Sequence, residues 1–419
     1  MRRRPLEGEK YKRKIENTQR TMATKTLVNI VDPTDPIPTY LFVKEHYAEG
    51  DRMLLIAAAS DGEAAAHMAR QLAPREVQLV VMKRESDDYT YERICRRIYQ
   101  SVDHGAHYYV NLSGGSRYMA LAVQRVMECF DSEFFYTQTR ENLIVSTIFD
   151  HHFYDNDDVF FPIGYHMEIG EYLQLHGLQH SLDRGTHLPI RPYRATRIIF
   201  DLFAHGRLSA AEHSTIGLLR EEYRGNYDTM SMRQLMSHGI GRHNPVPGLN
   251  TLLRRLRFEP EVAGQLSRAE VDYLTGGWLE EYVYHVVCHK FRPDQAAIGV
   301  QISRPGVPHD NELDVVFIRN NQLFVVECKT GIQSVHMFNE IVYKATALRQ
   351  SLLGISSHSY IFSLRPDSDG RLHQTAALMG IQLCDPHDLT GRNLYRLLQQ
   401  VHRLSDPPQP AAPRPETIG

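Results

Sequence analysis

The sequence predicts an α/β protein in two parts: a doubly wound, parallel-rich sheet on the N-terminal side and a second α/β domain organised around a β-hairpin. Three observations carry that expectation. From residue 26 to 149, apolar strand-length runs alternate with amphipathic helix-length stretches, the pattern of a parallel sheet covered by helices on both faces. Residues 312–331 read ELDVVFIRNNQLFVVECKTG. Two apolar runs there flank Asn320-Asn321, residues that tolerate the positive φ of a two-residue type I′ turn. The composition, 42% hydrophobic and 23% charged over 419 residues, is that of a globular chain with core enough for two or three domains.

In chain order, residues 1–23 carry eight Lys/Arg against three Glu and form a basic N-terminal arm. Strands are predicted over 26–31, 53–58, 77–82 and 107–112, with helices over 39–47, 63–72, 91–102 and 116–130. Two more strands follow at 133–137 and 143–149. Residues 151–248 form a linker region, polar at His151-His152 and Asp155–Asp158. Helical patterns lie at 167–176, 194–205 and 209–224, and a Gly-, His- and Asn-rich loop at 227–248. The histidines lack a metal-ligand spacing and are expected to be solvated or hydrogen-bonded. Residues 197–224, with Gly206 at the turn, imitate a helix-turn-helix, but the second helix lacks a row of base-reading side chains. From 249 to 404 runs the second domain. Leu249, Leu252, Leu253 and Leu256 mark one helix, and another starts at Trp278 after Gly276-Gly277. A strand at 298–302, the hairpin, a helix at 339–352 and strands at 360–364 and 381–384 complete it. Residues 405–419, with five prolines, form a disordered tail.

Bulk properties exclude several classes. The net charge of −3 gives no general attraction to nucleic acid, so any basic surface must be local. Cysteines 95, 129, 288, 328 and 384 form no C-x-x-C pair, which argues against zinc and against a disulfide framework. The longest apolar run, 53–59, is too short to span a bilayer. With no signal peptide evident, the expected compartment is the cytoplasm.

Two strand ends in the first domain have the makings of a ligand site. After the first strand comes Asp32-Pro33-Thr34-Asp35-Pro36-Ile37-Pro38-Thr39, a rigid polar loop that opens a helix. After the fourth comes Asn111-Leu112-Ser113-Gly114-Gly115-Ser116-Arg117-Tyr118-Met119. The paired glycines let the backbone approach a ligand, and helix N-terminal amides with Ser113, Ser116 and Arg117 make an anion site. Neither stretch matches the glycine patterns of dinucleotide or P-loop enzymes.

The hairpin has the makings of a catalytic site. A two-residue turn pairs Arg319 with Gln322, and counting back sets Asp314 opposite Glu327 and Glu312 opposite Lys329. Alternation then points Asp314, Glu327 and Lys329 to one face. Two carboxylates roughly 5 Å apart repel, and a shared proton or a divalent cation with oxygen ligands relieves them. On the preceding helix, Leu279, Tyr282, Val283 and Val286 define the apolar centre at about 100° per residue. Glu280 lies nearer that centre than Glu281. Glu280 is therefore the acid expected to turn inward, with Glu281 facing water.

Asp314, a spacer, then Glu327-Cys328-Lys329 resembles the PD-(D/E)xK nuclease motif, and the Glu280 helix resembles the one that precedes it in that superfamily. The resemblance implies a restriction-endonuclease-like fold that hydrolyses phosphodiesters of DNA and/or RNA. It implies catalytic Glu280, Asp314, Glu327 and Lys329. Mn²⁺ or Mg²⁺ would sit on Asp314, Glu327, the Cys328 backbone carbonyl and Glu280, and Lys344 would approach the scissile phosphate. Asn111–Met119 is similar to the N-x-[ST]-G-G-[ST]-[KR]-x-M motif of CARF domains, the Rossmann-like sensors of CRISPR systems, and the likeness covers residues 24–150. It implies a pocket for cyclic oligoadenylate, cyclic tetra-adenylate by analogy. Asn111, Ser113, Gly114, Gly115, Ser116 and Arg117 would line it, with Asp32, Thr34 and Thr39 matching by position. The Pro-rich loop at 32–39 departs from the family pattern. Together the two likenesses imply a homodimeric ancillary nuclease of type III CRISPR defence, allosterically activated and without a membrane partner. A ligand-responsive transcription regulator without nuclease activity and a constitutive nuclease are the alternatives.

Overall fold

A computed structural model describes residues 24–72, 76–82, 90–147, 159–182, 189–229, 246–261, 266–306, 311–331, 335–348, 357–364, 370–388, 396–397 and 400–401. The expected arm, most of the loop at 227–248 and the Pro-rich tail lie outside the described residues. By backbone contacts the chain falls into two units. The first runs to His166 and includes Gln174–Gly177; the second takes Met167–Leu173 and continues from Leu178.

The first unit is one seven-stranded sheet. In chain order it holds β1 (Lys25–Ile30), α1 (Ile37–His46), β2 (Arg52–Ala57), α2 (Gly62–Gln71) and β3 (Val77–Val81). Then follow α3 (Tyr91–Tyr99), β4 (His107–Asn111), α4 (Arg117–Met127), β5 (Ser132–Gln138), β6 (Leu143–Thr147) and β7 (Val159–Pro162). The strand order is β3-β2-β1-β4-β5-β6-β7. The first five are parallel; β6 and β7 are antiparallel additions at one edge. Alternating side chains serve the two faces. Val28, Ile30, Leu54, Ile56 and Val110 pack under α3 and α4 against Ile94, Ile98, Ala122 and Val123. Phe135 turns the other way and meets Phe42 of α1, ring centroids 5.4 Å apart. Because β1 and β4 are neighbours, the chain changes direction across the sheet between them. The loops after these two strands therefore open the crevice where ligands bind in this class of sheet.

The second unit holds a six-stranded sheet, β13-β12-β11-β10-β9-β8. The chain reaches it through α5 (Ile169–Leu175) and β8 (Gln179–His180). Three helices follow: α6 (Tyr193–Ala204), α7 (Ala210–Thr229) and α8 (Leu249–Leu256). The short α9 (Arg268–Asp272), started by a Ser267/Glu270 capping box, leads across a break at Gly276 into α10 (Trp278–Val286). β9 (Gln295–Ser303), β10 (Asn311–Arg319), β11 (Gln322–Lys329), α11 (Val335–Leu348), β12 (Ser357–Ser363), α12 (Arg371–Leu378) and β13 (Gln382–Cys384) complete the order. The hairpin β10–β11 is central, antiparallel to β9 and parallel to β12.

The turn is the one the sequence predicts. Asn320 and Asn321 both have positive φ, 46° and 62°, and Arg319 pairs with Gln322. Val315, Phe317, Phe324, Val326 and Cys328 enter a core shared with Leu279, Tyr282, Val283 and Val286 of α10. Phe317 and Phe324 stack across the pair at 4.7 Å, and Phe200 of α6 stacks on Tyr282 at 4.0 Å. On the other face Phe338, Val342, Leu372 and Ala376 of α11 and α12 pack with Ile361.

The stretch read as a linker region contains strands as well as helices. β7 extends the first sheet and β8 extends the second, while Ile199, Phe200 and Leu219 of α6 and α7 belong to the α10 core. Both strands are too short, four and two residues, for an alternation to be visible in the sequence.

Candidate active site and ligand loop

Hairpin register and strand alternation bring three of the expected residues together. Val315, Phe317, Phe324 and Val326 take the α10 face, so Asp314, Glu327 and Lys329 share the other. The Cys328 N–H donates to Asp314 Oδ2 at 2.7 Å, the Lys329 Nζ lies 3.3 Å from the same oxygen, and it also lies 2.7 Å from Glu327 Oε1. All three side chains are largely buried, at 13%, 14% and 26% exposure. Lys329 thus stands between two carboxylates it partly neutralises.

Glu280 joins them electrostatically. Burial first, then the charges of Asp314, Glu312 and Glu327, raise its pKa to about 8 against the pull of Lys329. Burial and then Glu327 raise Asp314 to about 6, opposed by Lys329 and the Cys328 N–H. Burial lowers the Lys329 pKa, but Asp314 and Glu327 outweigh it and the net shift is upward, so the ammonium stays charged. The cluster holds more carboxylate than it can keep ionised with one lysine. That excess, offered by hard oxygen donors, suits a divalent cation. The Glu280, Asp314 and Glu327 oxygens do not all lie within 4.8 Å of one another. Among the described residues the one His/Cys/Asp/Glu trio with donors all within 4.8 Å is His373, Asp385 and Asp388. There, however, Asp385 accepts the His387 and Asp388 N–H groups and Asp388 accepts the Asp385 N–H, so both acids are engaged in shaping a turn.

Glu281 does not face water: it is buried, and its carboxylate accepts the Ile190 and Arg191 N–H groups at 2.9 and 3.0 Å. The helix-face arithmetic failed because a chain segment some ninety residues earlier covers that side of α10. Lys344 is exposed on α11. Glu312, which the pairing arithmetic set opposite Lys329, adds to the field on Glu280.

The loop after β4 lies over the end of β1. A Cβ on Gly114 would stand 2.0 Å from the Ile30 carbonyl oxygen, and Gly115 has φ +68° with Ile30 Cγ2 at 2.3 Å from its would-be Cβ. Both glycines are therefore required by the close approach. Ser116 caps α4 by accepting the Met119 N–H at 3.2 Å, and Ser116 and Arg117 are exposed at the helix N-terminus. Beneath them, Asn111 is fully buried. Its amide donates to Asn29 Oδ1 at 3.0 Å and its oxygen accepts the Ser113 hydroxyl at 2.6 Å. Ser113 Oγ in turn accepts the Thr137 N–H. Across the crevice, Asp32 Oδ1 accepts the Thr34 N–H and hydroxyl, while Thr39 is buried and donates to the Ile30 carbonyl. Thr39 and Asn111 thus shape the crevice from below, and Gly115, Ser116, Arg117, Asp32 and Thr34 reach its surface.

Comparison with known proteins follows the same division. A family model described as the Card1 CARF domain matches residues 26–161, and one described as the Card1-like endonuclease domain matches residues 267–402. The chain joins a CARF domain to a Card1-like endonuclease domain. Among solved structures, protein VC1899 from Vibrio cholerae is similar at 18% identity and a TM-score of 0.68, over 91% of this chain and 99% of that one. Can2 from Sulfobacillus thermosulfidooxidans, solved in complex with cyclic tetra-adenylate, is similar at 20% identity and a TM-score of 0.62, over 89% and 99%. At these identities the likeness is one of fold. No curated protein matches by sequence. The crevice between β1 and β4 lies within the matched CARF domain, and Glu280, Asp314, Glu327 and Lys329 all lie within the matched endonuclease domain. No helix among the described residues is long and apolar enough to cross a membrane.

Proposed function

We propose that the chain is a metal-dependent endonuclease of type III CRISPR antiviral defence, switched on when cyclic oligoadenylate, read here as cyclic tetra-adenylate, occupies its CARF domain. The observation that carries this reading is the over-crowded acid cluster: Glu280 and Asp314, both raised in pKa by burial and by neighbouring carboxylates, stand around a lysine that bridges Asp314 and Glu327. Glu280, Asp314, Glu327 and the Cys328 carbonyl would hold Mn²⁺ or Mg²⁺, which supplies an activated water and charge stabilisation at phosphorus. Lys329 keeps its proton, balances the acids and orients the water. Lys344 on α11 approaches the DNA or RNA backbone. In the CARF domain, Ser113, Gly114, Gly115, Ser116 and Arg117 receive the anionic ring at the α4 N-terminus, where amide donors and the helix dipole favour phosphate. Asp32 and Thr34 close the other side, with Thr39 and Asn111 as support. Two copies of the chain form a homodimer around the ring, and ligand binding shifts the population toward a cutting-competent state.

A transcription regulator with the same sensor has no use for Glu280, Asp314, Glu327 and Lys329 gathered at one strand end. A constitutive nuclease has no use for the glycine loop over Ile30. Glu327→Ala separates the two halves of the proposal: cutting falls at least about 100-fold, the upper end of what losing even an outer partner of a metal site costs, while calorimetry finds cyclic tetra-adenylate bound as in wild type. Cutting that survives this substitution places the active site elsewhere.

A further inference from the structure

The two elements that carry the acid cluster are both held by the stretch of chain that arrives from the first unit. The second unit begins at Met167. The Met167 N–H donates to Asn321 Oδ1 at 2.8 Å. Asn321 is the second residue of the β10–β11 turn and is fully buried, so this bond fixes the tip of the hairpin that bears Asp314, Glu327 and Lys329. Two residues on, the Ile169 N–H donates to Gln295 Oε1 at 2.6 Å, at the start of β9. β8 then pairs with the far end of β9, Gln179 opposite Ser303 and His180 opposite Ile302. Ser181 and Gln301 exchange two more bonds, N–H to carbonyl at 3.1 Å and N–H to hydroxyl at 3.1 Å.

The last hold is on α10. Glu281 accepts the Ile190 and Arg191 N–H groups on its two oxygens, His285 one turn later donates from Nε2 to the Arg191 carbonyl at 2.8 Å, and the Arg191 guanidinium pairs with Glu270 of α9 at 2.9 Å. Both faces of one peptide segment are thus bonded to the helix whose first turn carries Glu280. Glu280 and Glu281 are consecutive, so a displacement of residues 190–191 that drags Glu281 turns Glu280 with it. A buried carboxylate that accepts two backbone N–H groups has no cheap alternative partner, so it transmits a pull rather than yielding to it.

We infer that residues 167–173, 178–182 and 189–191 are the transmission element of this protein, with Asn321 and Glu281 as positioning residues that set the hairpin and α10, and hence the acid cluster, according to the state of the CARF domain. This rests on the proposed function, since it concerns how ligand occupancy reaches the metal-binding acids. The connector is part of the second unit's hydrogen-bonded structure at four places, and two of the four are on the elements that bear the catalytic side chains. A passive linker has no need of either.

The test reads Mn²⁺ affinity directly, by electron paramagnetic resonance of free Mn²⁺ in titrations of the full chain with and without cyclic tetra-adenylate. Calorimetry of ligand binding and a thermal melt accompany each variant. Wild-type protein is expected to bind Mn²⁺ at least fivefold more tightly when the ligand is present. Glu281→Gln keeps one acceptor oxygen and the side-chain shape, but sets an amide NH₂ against a backbone N–H. Asn321→Gly keeps the positive φ of the turn and removes the Oδ1 acceptor together with the rest of the side chain. Each is expected to bind the ligand within twofold of wild type and to lose the Mn²⁺ response. Asn321→Asp keeps both acceptor and turn and should keep the response. A full Mn²⁺ response in folded Glu281→Gln and Asn321→Gly overturns the transmission role and leaves the proposed function standing. A wild-type protein that binds the ligand without any change in Mn²⁺ affinity also overturns it. A wild-type protein that does not bind the ligand overturns the proposed function, and the transmission role with it.

Discussion

His46 lies away from any site, and burial governs its charge. Burial first and the Lys25 charge second lower its pKa to about 4, and its Nε2 is buried without a hydrogen-bond partner. It packs among the rings of Phe42, Tyr109 and Phe135, and the charges nearby are the Lys25–Asp51 pair at 2.6 Å. The unfolded chain takes up a proton below pH 6.5 that the folded chain refuses until pH is near 4, so stability falls as pH drops through that window. Between pH 7 and pH 5 wild type should lose about 2 kcal/mol more than His46→Phe, as denaturant titrations of the two would measure. Parallel pH profiles would contradict this. At the acid cluster the same physics separates neighbours. Glu280 was legible in the sequence because helix periodicity places it beside the apolar stripe. The fate of Glu281 was not, because its two donors, Ile190 and Arg191, come from a segment that no local pattern links to α10.

Elements were legible where their geometry leaves a residue signature. A two-residue turn with positive φ at both positions asks for residues such as Asn-Asn, and that alone sets the register from Arg319 and Gln322 back through Val315 and Val326. The hairpin depends on its central stack, so Phe324→Ala should cost about 3–5 kcal/mol of second-unit stability in a denaturant titration. A loss below about 1 kcal/mol would mean that the Phe317–Phe324 layer repacks freely. The glycine loop depends on contact with β1. Gly114→Ala forces its methyl against the Ile30 carbonyl, so the loop must lift. The expected outcome is at least a tenfold weaker cyclic tetra-adenylate complex in a protein whose melting temperature is little changed, because the strain is confined to one loop. Unchanged affinity would remove this loop from the ligand site. β7 and β8 left no such signature: an edge strand of four residues and a pair of two are defined by the strands beside them.

For the molecule as a whole, the alternation of strand and helix made the first sheet legible, down to the parallel order that brings β1 and β4 side by side. The second sheet was legible chiefly through its hairpin. How the stretch from Met167 is tied into the second unit was not, because that information lies in single hydrogen bonds, such as Met167 to Asn321, between residues more than a hundred positions apart. The central claim is that one unit controls the other. It is tested most directly by incubating the purified chain with Mn²⁺ and single- or double-stranded DNA or RNA, with and without cyclic tetra-adenylate, and following cleavage. The account predicts cutting only when the ligand is present; no cutting under any condition, or cutting indifferent to the ligand, would contradict it.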